Sequence, residues 1–499
     1  MYEERIRCKK LLEKVVSADE AAMLIKDGMR VGTSGFTPCG YPKAVPLALA
    51  RQAREGRKVK IDLLTGASVG VELDGELTEA GVIARRVPYQ TNEAIQKAIN
   101  DGRINYIDQH LSHSPQQVRY GFHGKLDAAI IEAVAITEEG HIVPSTSMGN
   151  SPTFVQEAGF VIVEINTSQP LQLEGMHDVY IPQDPPNRRP IPIVNPGDRI
   201  GTPYIHCGPE KIKAIVVTDI TDKVRPLAPL DDESRAMARN LIDFFKKEVK
   251  MGRLPKNLLP LQSGVGNVAN AVLAGLLESD FENLVFYSEV IQDAALDMID
   301  AGKFAVVSGT SLTPSEEGLV RFKEKIEFYR KKIILRPQEI SNNPEIARRL
   351  GVISMNTAIE VDIYGHANST HLMGTRMMNG IGGSGDFTRN AYLSVFLTAS
   401  TAKKGNISCV VPMCSHIDHT EHDICVIVTE QGVADLRNKS PKERALEIIN
   451  NCAHPDYKPL LREYFEEACR VTKNAHTPHL IGRCHEFHER FLKTGSMKK

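Results

Sequence analysis

The feature that most constrains the fold is an alternation running the length of the chain. Short, nearly continuous apolar runs rich in Val and Ile are separated by longer amphipathic stretches. In the first half the runs are RVGTSGF (30–36), KIDLLTG (60–66), NYIDQHL (105–111), DAAIIEAVAI (127–136), FVIVEIN (160–166) and KAIVVTD (213–219). In the second they are LLPLQSG (258–264), NLVFYSE (283–289), FAVVSG (304–309), KIILRPQE (332–339), ISCVVPM (407–413) and ICVIVTE (424–430). A strand that is apolar on both sides has to be covered on both faces, and a parallel sheet flanked by its crossover helices does this. The pattern predicts an α/β fold, given twice.

A chain of 499 residues exceeds one hydrophobic core, so two large domains are expected. The boundary is expected within TDKVRPLAPLDDES (221–234), where Pro226 and Pro229 break local structure before a long helical pattern. This divides the chain into residues 1–225 and 226–499. Residues 181–203 carry seven prolines with Arg188 and Arg189 and no periodic pattern, which predicts an excursion over the surface, over a site or over a partner subunit. Three helices announce their own starts. Ser17 with Glu20 forms a capping box, with a stop at Gly28; Ser440 precedes Pro441; Asn343 precedes Pro344, with a stop at Gly351.

Sixty Lys and Arg against 62 Asp and Glu leave a formal charge of −2, which speaks against a nucleic-acid binder or a polybasic membrane anchor. The nine cysteines are irregularly spaced without a CxxC pair, so a reducing compartment is expected. No signal-peptide pattern opens the chain, and no apolar run approaches the roughly 20 residues of a membrane span. A cytoplasmic location is the expectation.

Three glycine-rich strand exits are candidate anion or oxyanion cradles: GFTPCGYPKAVP (35–46), QSGVGNVANAV (262–272) and NGIGGSGDF (379–387). None ends as a Walker loop and none is a complete GxGxxG unit, so each also reads as a tight turn. Glu289 sits at the C-terminal end of an apolar run, where open α/β sheets bind ligands. Glu339, Glu360 and Glu430 compete with it, and the residues alone do not choose. The run CSHIDHTEHDICVIVTEQG (414–432) places His416, His419 and His422 three residues apart with Cys414, Asp418, Glu421 and Asp423 between them. By composition it reads as a transition-metal site; by position, between two strand patterns, it reads as a loop.

The motifs LQSGVGNVANAV, FYSEVIQD, RPQEISNNPEIARRLG, DIYGHANSTH, MNGIGGSGDF and VTEQGVADLR, in this order, resemble the acetyl-CoA hydrolase/transferase family of class I CoA-transferases. Within it the chain looks most like the succinyl-CoA:acetate and propionyl-CoA:succinate CoA-transferases. The resemblance implies two similar open α/β domains with mainly parallel sheets, an active site in the interdomain cleft and a homodimer. It implies that Glu289, in the second domain, is the nucleophile that becomes a glutamyl-CoA thioester, with Asn342 beside it. Backbone N–H groups of Val265 and Gly383 are implied as the oxyanion hole. Gly264, Val265, Gly266, Asn267, Val268, Ile359, Asn379, Gly383 and Lys403 are implied as CoA contacts. It implies acyl-CoA and small carboxylates as partners, no cofactor beyond coenzyme A as substrate, and no metal. The histidine run then has a supporting role. Acyl-CoA hydrolysis is the alternative activity, and a non-catalytic acyl-CoA sensor a remoter one.

Overall fold

Ala128–Ile136 is buried at all nine positions, as a strand covered on both faces must be. In the computed structural model, which describes residues 2–224 and 229–499, it lies inside the first large sheet. The strand order there is Ile212–Thr218, Phe160–Asn166, Ala128–Ile136, Arg30–Thr33, Ile61–Leu64, Ile83–Val87 and Asn105–Tyr106, and every pairing along it is parallel. Ile142–Pro144 adds an antiparallel partner to the Ala128–Ile136 strand. The core on one face gathers Val31, Leu63, Ile83 and Ile130 against Val45, Leu49, Leu77 and Ile95 of the covering helices.

A second parallel arrangement runs Leu261–Ser263, Ile353–Thr357, Leu393–Leu397 and Val426–Thr429, closed by antiparallel Gly432–Asp435. The α/β architecture with mainly parallel sheets is as the alternation predicts. The residues group into two units: Met1–Pro226 with Val285–Leu350, and Leu227–Leu284 with Gly351–Lys499. The expected junction of 225 with 226 lies at residues outside the described ones. The grouping differs from the expected halves in one respect: Val285–Leu350, which carries Glu289, belongs with the first unit. Its strand Phe304–Gly309 pairs in parallel with Ile333–Leu335, and Val290–Ile291 pairs with Ser311–Leu312. The segment therefore has its own ladder, which an apolar pattern cannot allocate to one unit or another.

The helix after Ser17 has the capping box but runs only Ala18–Ala22, well short of Gly28. The run 105–111 yields a strand of two residues, and 407–413 yields two short strands, Ile407–Ser408 and Val410–Val411. The proline-rich excursion is tied down by arginines. Arg349 donates to the carbonyls of Ile191 and Ile193, Arg336 to those of Pro196 and Asp198, and Arg119 to the Asp184 carboxylate. The residues between Ile191 and Asp198 thus lie along the 336–349 segment of the same unit.

One polar cluster sits wholly inside the first unit. Lys43 is 0% exposed, and its Nζ lies 2.6 Å from Glu132 and 2.8 Å from Asp222. Burial alone would strip its proton, but those two carboxylates hold it above the ordinary lysine range. Glu132 also accepts from Ser145 and Asn166, and Asp222 from Thr146 and Gln169, so the buried charges are paired and hydrogen-bonded.

Candidate functional site

The three glycine exits part company in the structure. At the first, the Glu164 carboxylate accepts from the backbone N–H groups of Lys43, Ala44 and Val45 at 2.8, 3.0 and 2.6 Å. A protein carboxylate thus occupies the place an anionic ligand would take, and this exit is a packed turn. A Cβ on Gly40 would meet Ser147 Oγ at 2.3 Å, which accounts for the glycine by close approach. At the second exit the strand Leu261–Ser263 leads through Gly264, Val265 and Gly266 into the helix Asn267–Glu278. Gly266 has φ +106°, and nothing lies within 4 Å of a Cβ placed there, so its backbone conformation and not crowding calls for glycine. Val265 is 47% exposed, and Asn267 and Val268 begin the helix half-buried. This turn is open to a ligand where the first is not.

The third exit holds Asn379 and Gly383. Asn379 Nδ2 donates to the carbonyls of Ser369 and Gly380, both at 2.9 Å. Gly382 has φ +61°, and Gly383 leads into the short helix Ser384–Thr388. Ile359 is half-buried, its N–H donating to Asn368. Lys403 is exposed with φ +48°, its Nζ 5.0 Å from the centre of the Phe491 ring. Val265, Gly266, Asn267, Ile359, Asn379, Gly383 and Lys403 all fall in the second unit, and Glu289 and Asn342 in the first.

Glu289 follows the strand Leu284–Tyr287 and precedes the short strand Val290–Ile291. Its carbonyl accepts from the N–H groups of Thr310 and Ser311 at 2.7 and 3.1 Å, which pins the backbone. Its Oε1 accepts from Asn342 Nδ2 at 2.5 Å. Asn342 is 0% exposed, and Ser341 Oγ donates to its Oδ1 at 2.8 Å, so the amide is held with its NH₂ toward the glutamate. Desolvation among the surrounding atoms pushes the Glu289 carboxyl up to about 7, against the downward pull of the Asn342 hydrogen bond. The following Val290 belongs to a small apolar cluster with Phe36, Ala67 and Leu111, against which Tyr89 packs. Burial raises the Tyr89 phenol well above its ordinary range, and the Glu289 charge raises it further.

The rival carboxylates are all engaged. Glu339 is 2% exposed and bound in a fork by Arg119 at 2.7 and 2.8 Å. Glu360 accepts from Asn368, Ser415 and His488; burial alone would raise it, yet those donors hold it below the usual carboxylate range. Glu430 accepts from Ser400 and Gln431, and despite burial it too is held low. Of Glu289, Glu360 and Glu430, only Glu289 is raised, the state suited to a reactive carboxylate. Arg119 and Tyr89 were not among the expected residues, because the sequence carries no signal that joins them to positions 339 and 289.

The histidine run is a loop between Val410–Val411 and Val426–Thr429. His416 packs against His371 with ring centres 4.0 Å apart, His419 is 3% exposed, and the His422 side chain is 80% exposed. Three-residue spacing converges only on a helix, and here the rings go to three different surroundings. Among the described residues no group of three or more His, Cys, Asp or Glu is arranged to hold a metal ion.

Comparison with known proteins bears on the whole chain. Residues 1–217 match the model of the acetyl-CoA hydrolase/transferase N-terminal domain, and residues 318–465 that of the C-terminal domain. The chain belongs to the acetyl-CoA hydrolase/transferase family. A family member from Clostridium kluyveri, a succinyl-CoA:acetate CoA-transferase, is 62% identical over 99% of this chain and 92% of its own. An acetyl-CoA hydrolase of Schizosaccharomyces pombe is 47% identical, covering 100% of this chain and 99% of its own. Among solved structures, the 4-hydroxybutyrate CoA-transferase of Porphyromonas gingivalis is 21% identical with a TM-score of 0.65, over 94% of this chain and 100% of its own. That likeness is one of fold. No helix among the described residues is long and apolar enough to cross a membrane.

Proposed function

We propose that this family member is a CoA-transferase that moves CoA between a short acyl-CoA (succinyl-, propionyl- or acetyl-CoA) and a carboxylate acceptor (acetate, succinate or propionate). The observation that carries the reading is Glu289, a half-buried carboxylate raised to about 7 and aimed by Asn342. A carboxylate nucleophile is what exchange between two carboxylic acids requires. The Glu289 anion attacks the thioester carbonyl, and the tetrahedral intermediate expels CoA thiolate to leave a mixed anhydride. The thiolate attacks the glutamyl carbonyl, which releases the first carboxylate and leaves a glutamyl-CoA thioester. The acceptor carboxylate reverses both steps, so the kinetics are ping-pong. Val265 and Gly383 N–H groups stabilise the oxyanions, each such donor being worth about 3–4 kcal/mol. Gly264, Gly266, Asn267, Val268, Ile359, Asn379 and Lys403 are assigned to CoA. For Lys403, the contact with Phe491 gives a second occupation for the ammonium. The reading includes a cytoplasmic homodimer and needs no group beyond coenzyme A; nine free cysteines fit a reducing compartment.

The relatives named acetyl-CoA hydrolase favour a second reading, in which water intercepts the glutamyl thioester. Measuring CoA release with and without acceptor separates the two. Transfer predicts that thioester loss without acetate or succinate runs far below the rate with it; equal rates would establish hydrolysis instead. A sensor would show neither turnover nor adduct.

The pH dependence has a definite sign. An acid whose folded pKa stands above its unfolded value stabilises the fold in its neutral form; that contribution is full below pH 4 and lost as the pH rises to about 7. Activity runs the other way, because the nucleophile is the anion. Adduct formation is expected to rise about tenfold per pH unit up to roughly 7 and then level. Single-turnover rates between pH 5 and 9 check this, and a flat profile through pH 6 would contradict it.

A further inference from the structure

His419 is the member of the histidine run that the chain buries, and its partners lead to the third glycine exit. Its ring lies against Phe396 with centres 4.9 Å apart. Its backbone is fixed to the neighbouring strand: the Ala367 N–H donates to His419 O at 2.9 Å, and the His419 N–H to Ala367 O at 3.1 Å. Nε2 lies 3.0 Å from Ser384 Oγ. Ser384 Oγ gives its one proton to the carbonyl of Ile381 at 2.8 Å. Toward His419 it can therefore only accept, and Nε2 carries the hydrogen.

These bonds enclose the turn on both sides. Ile381 precedes Gly382 and Gly383, and Ser384 follows them. Two successive glycines give the backbone its widest freedom, and an oxyanion donor is useful only when held in place before the charge develops. A hydroxyl bridging the residues before and after the glycines, itself held by a buried imidazole, supplies that restraint from outside the turn. All of these residues belong to the second unit.

We infer that His419 is a positioning residue for the Gly383 N–H, acting through the Ser384 hydroxyl; the inference rests on the proposed role of Gly383 in the oxyanion hole. His419→Phe keeps the ring and its contact with Phe396 but loses the donor. It is expected to lower kcat for CoA transfer by about 10- to 100-fold, the scale of a misplaced catalytic group, with KM for acyl-CoA little changed. His419→Gln restores a donor at the Nε2 position and should recover most of the rate. Ser384→Ala, a much smaller change, should reproduce the loss, and His419→Phe with Ser384→Ala should cost no more than either alone. Unchanged kcat in His419→Phe overturns the inference. So does a loss that Gln does not relieve or that Ser384→Ala does not share, since that describes packing alone. Mass labelling of wild-type Glu289 by acyl-CoA is the parallel measurement. Absence of label overturns the proposed function together with the inference, whereas label with an unaffected His419→Phe overturns only the inference.

Discussion

Glu289→Ala should abolish the covalent adduct and reduce CoA transfer by at least about 10⁴-fold, the scale of losing a nucleophile. Incubated with acyl-CoA, the wild-type protein is expected to gain the mass of CoA at Glu289, and the variant none. Glu289→Gln is the sharper probe, because it keeps the shape and the Asn342 neighbour while removing the anion. It should be as inactive as the alanine variant. It should also fold at least as stably above pH 7, since the wild-type carboxylate is raised by desolvation and is costly to ionise there. Retained adduct in either variant would move the nucleophile elsewhere, and the engaged states of Glu339, Glu360 and Glu430 leave no equivalent carboxylate among them.

Lys43→Met should cost about 3–5 kcal/mol of stability, the range for removing one partner of a buried ion pair. The methionine fills the volume, but Glu132 and Asp222 are then buried without their cation. Urea unfolding of the two proteins measures the difference. The same variant at lower pH should recover part of the loss, as protonation relieves the stranded carboxylates. A midpoint unchanged from wild type would mean that the remaining donors, Ser145, Asn166, Thr146 and Gln169, satisfy both acids without the lysine.

The large sheets were legible because burial on both faces writes itself into a strand as an apolar run, and Ala128–Ile136 and Phe160–Asn166 show it. The helix caps were legible because their partners are local: Ser17 Oγ accepts from the Glu20 N–H, and the Glu443 carboxylate accepts from the Ser440 N–H and Oγ, each within three residues. What could not be read was which distant segment a residue meets. The first glycine exit, 35–46, looked like an anion cradle, and the carboxylate closing it, Glu164, comes from a strand over 100 residues away. Spacing alone did not separate Glu289 from its three rivals, which only the resemblance did, and none of the hydrogen-bond partners of the four is encoded by local spacing. The regular spacing of the histidine run would have had meaning only on a helix, and the run is a loop, as its place between two strand patterns indicated.

The division of the chain has a consequence for how the protein is made. The first unit comprises Met1–Pro226 and Val285–Leu350, so the polypeptide leaves it, begins the second unit and then returns. A ribosome that has released the first 226 residues has not yet supplied the ladder of Phe304–Gly309 and Ile333–Leu335, nor Glu289 itself. The first unit can be completed only when residue 350 has emerged, by which time part of the second is already waiting. Severing the gene between residues 226 and 227 should therefore split the first unit while leaving the second whole, and Glu289 would travel with the fragment that holds the second.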